Sequence, residues 1–176
     1  VRIEFAGAEL SPDNELNGLT LGGCGSTTTL SYIQVHRGKD DGVEFFGGTA
    51  NFDHVVISGA SDDSLDCDLG WRGEGQFLVI QQIAGVGDNG SECDGLGSDE
   101  DATPRTDAKL YIVTMLGTPA TRGMVRREGM RGTLRNFIIA NFGTESVDLR
   151  AKQVSLASEW PGSLSIENSF FFGNGP

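Results

Sequence analysis

Two stretches decide the fold: Leu30-Ser-Tyr-Ile-Gln-Val-His36 and Phe52-Asp-His-Val-Val-Ile-Ser58, which begin 22 residues apart. At that offset the apolar residues of the first stretch superpose on those of the second. The same offset brings Asp41-Gly-Val-Glu-Phe45 onto Asp63-Ser-Leu-Asp-Cys67. Two short apolar strands and an acidic turn therefore recur in register, and such self-similarity is the sequence signature of a repeat architecture.

Later copies of the unit are looser. A third copy begins at Phe77-Leu-Val-Ile80, an offset of 25, and reaches Asn89-Gly-Ser-Glu-Cys93 at an offset of 26. Equivalent apolar residues of stacked units form inward ladders. The predicted ladders are Leu30/Phe52/Phe77, Ile33/Val55/Ile80 and Phe45/Cys67/Cys93.

Each unit consists of short strands separated by Gly, Asp, Asn and Ser, without helical periodicity. So short a unit buries its apolar face only by stacking on its neighbours. A leucine-rich repeat needs a Leu-x-x-Leu-x-Leu core that is absent, and a propeller blade needs about 40 residues. The pattern predicts an all-β, right-handed parallel β-helix (solenoid) of about six to seven coils, as a single domain over residues 1–176. Strand-like segments at both ends favour a fragment of a longer chain.

Two insertions interrupt the predicted coils, and in repeat folds insertions map to exposed loops. The first spans residues 9–26 and carries an extra strand at Leu16-Asn-Gly-Leu-Thr-Leu21. The second is the acidic loop 94–107.

The charge balance bounds the partners. Acidic residues number 25 against 13 basic ones, for a net charge of -12. Nucleic-acid binding is excluded because it rests on clustered Lys and Arg, and the apolar runs are too short for a membrane-spanning segment. Cations, a polysaccharide or a surface protein remain as partners.

Three acidic residues, Glu44, Asp66 and Glu92, are equivalent in successive units, and Glu4 is a candidate for the preceding place. Stacked about 4.8 Å apart, such carboxylates repel one another and need compensating charge. Ca²⁺, which prefers several oxygen ligands, would supply it and is the only cofactor expected. Arginines such as Arg72 or Arg105 would serve as well, and a solvated acidic face is the simpler alternative.

The turn acids Asp41 and Asp63 form a second stack with two interpretations. Aspartate is a preferred turn residue because its side chain bonds local backbone. Alternatively, the pairs Asp40-Asp41 and Asp62-Asp63 resemble the catalytic carboxylates of polygalacturonase-like glycosidases, in which one acid protonates the leaving group and another activates water. The Gly-His-Gly and Arg-Ile-Lys motifs of those enzymes are absent, which weighs against a glycosidase.

Trp71 and Arg72 lie together on a predicted turn, where an exposed indole would stack on a sugar; the alternative is a Trp71 that caps the edge of the coil. Cys67 and Cys93 are stacked neighbours, within the Cα range of a disulfide. They are otherwise small buried hydrophobic residues.

Several strings resemble a family of bacterial right-handed parallel β-helix proteins, often predicted to be secreted or lipoproteins, of unassigned function. The strings are Gly47-Gly-Thr49, Asp62-Asp-Ser-Leu-Asp66, Gly70-Trp-Arg-Gly73 and Asp101-Ala-Thr-Pro-Arg105. The resemblance covers about residues 1–176. It implies export to the outer surface of a bacterium and implies no activity.

The sequence thus favours a secreted or cell-surface module that binds a glycan or a protein and is stabilised by Ca²⁺. One alternative is a polysaccharide lyase or glycosidase with an acidic groove, for which Lys39, Arg37 and Arg72 are the candidate basic residues. A structural fragment of a larger surface protein is the other alternative.

Overall fold

A computed structural model describes residues 1–12, 14–150 and 163–176, which form two parallel sheets and one antiparallel hairpin. The first sheet contains, in spatial order, β1 (Arg2–Glu4), β5 (Ser31–His36), β7 (Phe52–Ser58), β9 (Glu74–Gln81), β11 (Asp107–Leu116), β13 (Arg131–Ala140) and β15 (Leu164–Glu167), with β16 (Phe170–Phe172) also paired to β13. The second sheet contains β4 (Leu19–Gly22), β6 (Val43–Phe46), β8 (Leu65–Asp68), β10 (Asn89–Cys93), β12 (Arg122–Arg126) and β14 (Val147–Leu149). The hairpin is β2 (Glu9–Ser11) with β3 (Asn14–Glu15).

Neighbouring strands of each sheet are alternate elements of the chain. The chain leaves β5, passes through β6 in the second sheet, and returns as β7 to lie parallel to β5. Parallel crossovers of this kind are right-handed. The predicted right-handed parallel β-helix is therefore confirmed, with seven positions in the first sheet and six in the second. The described residues include no helix long and apolar enough to cross a membrane.

One residue in each long strand of the first sheet has a left-handed backbone. These residues are Tyr32, His54, Phe77, Ile112 and Asn136, with φ values of 56°, 52°, 57°, 56° and 61°. A left-handed residue interrupts the strict alternation of side chains along a strand. Inward positions are consequently spaced by three and then by two, as for the buried Phe52, Val55 and Ile57.

This bend overturns the predicted register of the third coil. Val55 pairs with Leu78, not with Ile80, and Phe52 pairs with Gly75, not with Phe77. Phe77 points outward, and its ring contacts that of His54 with centroids 4.7 Å apart. Alignment of the apolar residues gave the wrong register here because the inward position of this coil is Gly75. A Cβ at Gly75 would overlap the Phe52 ring.

Within residues 9–26, the part that departs from the regular coils is shorter than the insertion predicted from the sequence. Among the strands of the described residues, only β2 and β3 lie outside the two sheets. Leu19–Gly22 forms β4, which pairs in parallel with β6 and is thus a regular rung of the second sheet.

Candidate functional site

The outer face of the second sheet carries a column of carboxylates. Glu44 pairs with Asp66, and Asp66 pairs with Glu92, so the register predicted for this column is confirmed. The place before Glu44 belongs to Thr20. The expectation for Glu4 is wrong because β1 joins the first sheet, where Glu4 pairs with His36.

A second line of polar side chains runs beside this column, at the turns that lead into the second sheet. The backbone N–H of Asp41 donates to Asn17 Oδ1 at 3.3 Å, that of Asp63 to Asp41 Oδ1 at 3.0 Å, and that of Asn89 to Asp63 Oδ1 at 2.9 Å. The side chains of Asn17, Asp41 and Asp63 therefore each satisfy a backbone donor of the next coil. We call Asn17, Asp41, Asp63 and Asn89 the turn ladder.

The column and the turn ladder meet in a cluster of three carboxylates. One oxygen each of Asp41, Glu44 and Asp66 lies within 4.8 Å of the others. We call these residues the acidic trio. In a second group, Asp40, Asp41 and Asp62, one oxygen of each residue likewise lies within 4.8 Å of the others. Asp41 and Glu44 of the trio and all three residues of the second group line an open depression of about 640 Å³, which Asn17 and Thr20 also border.

Burial and repulsion from nearby carboxylates raise the pKa of every member of the trio. Burial, then the Glu44 charge, raises the pKa of Asp41 to about 8. Burial is also the main cause that raises the pKa of Glu44 to about 7 and that of Asp66 to about 10. Uncompensated, the trio would hold protons near neutral pH, because three charges so close together are costly in a partly desolvated site.

Compensation within the trio is incomplete. Among the described residues, no Lys or Arg forms an ion pair with Asp41, Glu44 or Asp66. Asn17 Nδ2 donates a hydrogen bond to Glu44 Oε2. Asp66 Oδ1 is shielded from solvent and has no hydrogen-bond partner within the described part of the chain.

Glu92 differs from the trio because it has a cationic partner. Arg127 forms ion pairs with Glu92 and, at 2.7 Å from Nε to Oδ2, with Asp94. Asn89 Nδ2 also donates to Glu92 Oε2 at 3.1 Å. Glu92 is thus in the predicted column but outside the predicted cation cluster, and Asp41 stands in its place.

A fully buried arginine lies behind the same sheet. Arg126 pairs with Cys93 at an inward position, and its guanidinium donates to Ser91 O and Ser91 Oγ, both at 3.0 Å. Burial lowers its pKa to about 10, whereas the charges of nearby acids, Asp94 first, act in the opposite direction. The structure thus supplies charge through Arg126 and Arg127 and does not bring Arg72 or Arg105 to the column.

Trp71 cannot bind a sugar, which corrects one of the two interpretations above. It is fully buried, stacks on Phe45 with ring centroids 4.5 Å apart, and donates from Nε1 to Ala50 O at 3.0 Å. A large aromatic gains most from the core when its N–H also finds an acceptor. Arg72 is exposed but borders a separate cavity.

Cys67 and Cys93 are paired residues of β8 and β10, with Cα atoms 4.6 Å apart, and they form a disulfide. The bond lies on the inward side of the sheet whose outer face carries Asp66 and Glu92. It joins the two coils that supply this part of the acidic face.

Sequence reasoning missed Asn17 and the arginines Arg126 and Arg127. Asn17 had a detectable signal, since it precedes Asp41 by 24 residues and is equivalent to it in the turn ladder. Arg126 had none, because its position aligns with apolar residues in other coils.

A family model described as "Pectate-lyase like beta helix domain" matches residues 1–173 of the chain. No curated protein and no solved structure matches it in the corresponding comparisons.

Proposed function

The chain belongs to the pectate-lyase-like β-helix family, and on that premise we propose that its acidic trio binds a divalent cation, Ca²⁺, through which the solenoid binds an acidic polysaccharide. The observation that carries the proposal is the convergence of Asp41, Glu44 and Asp66 within 4.8 Å without a basic partner in the described chain. Ca²⁺ favours several carboxylate oxygens in a flexible arrangement.

The shape of the surface supports a polymer ligand. Asp41 and Glu44 of the trio line an open depression of about 640 Å³, so a cation bound there would keep positions free for ligand oxygens. A chain of net charge -12 repels an acidic polysaccharide. A bridging cation removes that repulsion at the point of contact.

We place this activity outside the cell, on the surface of a bacterium or secreted from it. The Cys67–Cys93 disulfide supports this placement, since disulfides persist in oxidising compartments and are rare in the cytosol.

A polysaccharide lyase is the second candidate, favoured by Arg127. This arginine lies one coil beyond Glu92 on the acidic face and forms an ion pair with it, whereas the basic residues expected for a lyase from the sequence form none among the described residues. Its two ion pairs hold the guanidinium against carboxylates, which favours binding over proton abstraction.

Calcium titration of the chelator-treated chain tests the cation site. We expect millimolar Ca²⁺ to raise the melting temperature, and Mg²⁺ to raise it less because it demands a stricter geometry. Glu44→Gln and Asp66→Asn should lose most of the increase, whereas Glu9→Gln, an exposed carboxylate on the hairpin, should keep it. A wild-type protein without any shift would refute the site.

Polygalacturonate, alginate and a neutral glycan then test the ligand class. We expect binding to the acidic polymers with Ca²⁺ and its loss with chelator. Binding to the neutral glycan alone would contradict the proposal. Formation of an unsaturated, ultraviolet-absorbing product that Arg127→Lys abolishes would establish the lyase instead.

A further inference from the structure

Three arginines from consecutive coils meet at one edge of the solenoid, away from the acidic trio. Arg72 follows β8, Arg105 ends the loop after β10, and Arg131 opens β13 after β12. They line a single depression of about 230 Å³ together with Thr103, Pro104 and Asp107. We call this depression the arginine cavity.

The strand register fixes two of these arginines on either side of one acid. Arg131 pairs with Asp107 across β11 and β13. The backbone N–H of Asp107 donates to Trp71 O at 2.8 Å, which sets Asp107 beside Arg72 in the coil below. Arg72 and Arg131 are therefore two rungs apart, with about 4.8 Å between neighbouring rungs. Both residues line the same cavity.

Arg105 is held in place by the loops around it. Its Nη1 donates to Glu100 O at 2.5 Å and to Gly129 O at 2.8 Å, and its Nη2 pairs with Asp101. Because two of these partners are backbone carbonyls, the guanidinium is positioned before any ligand arrives. Asp101 offsets part of its charge.

Arg72 and Arg131 are both exposed, and neither side chain has an ion pair or hydrogen bond within the part of the chain that the structure describes. Other arginines of the chain do find carboxylates: Arg2, Arg122, Arg127, Arg135 and Arg150. In a chain with nearly twice as many acids as bases, two guanidiniums that line one cavity without an ion pair in the described chain are unexpected. Both positive charges border the same opening, so an anion bound there would be attracted by both.

We propose that the arginine cavity binds an oxyanion, a carboxylate or a sulfate ester, through Arg72 and Arg131. The guanidinium presents a planar fork of donors that matches such groups bidentately. Asp107 is the internal competitor, since it lies between the two arginines in the register and lines the same cavity. The site shares no residue with the acidic trio, and its existence does not depend on the cation proposal.

Nuclear magnetic resonance of the arginine Nε–Hε groups tests the site on the full, chelator-treated chain. Sodium sulfate and sodium acetate are titrated separately against sodium chloride at equal ionic strength. We expect saturable shifts at Arg72 and Arg131 with at least one oxyanion and none with chloride. Saturation by acetate alone identifies a carboxylate ligand, saturation by sulfate alone identifies a sulfate ester, and saturation by both supports the shared chemistry.

Variants separate a built site from general surface charge. The double variant Arg72→Gln, Arg131→Gln should weaken oxyanion binding about tenfold or more. The Asp107→Asn variant should strengthen it. Arg37→Gln is the matched control, because Arg37 is another exposed arginine on a different turn, and it should change nothing. Unsaturable shifts, or equal weakening by the Arg37 variant, would overturn the proposal. Because the chelator removes divalent cations from the chain, this result does not depend on the proposed cation site.

Discussion

The Asp41 carboxylate accepts a hydrogen bond at 3.0 Å from the backbone N–H of Asp63, its own equivalent one coil further along. Asp41 also belongs to the acidic trio. One side chain therefore contributes to coil stacking and to the candidate cation site. Stability and ligand binding should respond together when this part of the protein is changed.

Replacement of Asp63 tests the turn ladder. Asp63→Ala removes the acceptor for the N–H of Asn89, and an unsatisfied buried donor costs about 1–3 kcal/mol. Asp63→Asn keeps an oxygen acceptor and removes a carboxyl group whose pKa is raised by burial. We expect urea denaturation at neutral pH to show a clear loss for the Ala variant and little or none for the Asn variant. Equal losses would contradict the role of the oxygen.

The pH dependence of stability follows from the raised pKa values. The pKa of Asp41 rises from 3.8 to about 8 and that of Glu44 from 4.5 to about 7 on folding. Between these limits the folded chain holds more protons than the unfolded chain, so stability falls as pH rises.

With chelator present, the denaturation midpoint should therefore drop between pH 5 and pH 8. Added Ca²⁺ binds the deprotonated trio, so its stabilising effect should be larger at pH 8 than at pH 5. A midpoint that rises with pH in chelator would show that other groups dominate.

Removal of the disulfide should weaken the solenoid without changing its fold. Cys67 and Cys93 are separated by 26 residues, and a loop of that size corresponds to about 3 kcal/mol of stabilisation. Denaturation of a Cys67→Ser, Cys93→Ser variant measures this loss. Cys24→Ser serves as the control, since Cys24 is a free cysteine, and it should stay close to wild type.

Trp71 should affect stability and leave ligand binding intact. Trp71→Ala opens a cavity next to Phe45 and should cost about 3–5 kcal/mol, with a smaller loss for Trp71→Phe. The Phe variant should keep the calcium-induced rise in melting temperature. Loss of polysaccharide binding in a stably folded Trp71→Phe protein would contradict this expectation and show that Trp71 contributes to ligand binding.

The amino-acid sequence by itself determined the stacking of coils and the register of Glu44, Asp66 and Glu92. It could do so because a repeat unit too short to bury its own apolar face has to place equivalent residues in contact. The same logic placed Cys67 beside Cys93. Where a glycine took an inward position, at Gly75, the apolar pattern gave the wrong partner.

Only the tertiary structure decided which acids share a site. Glu92 lies outside the cluster and pairs with Arg127. Asp41 belongs to the cluster because the turn brings its carboxylate close to Glu44 and Asp66. Trp71 turned inward because an interior acceptor, Ala50 O, satisfies its indole N–H. These outcomes depend on side-chain direction and on contacts between coils, and neither is encoded in the spacing of the repeat.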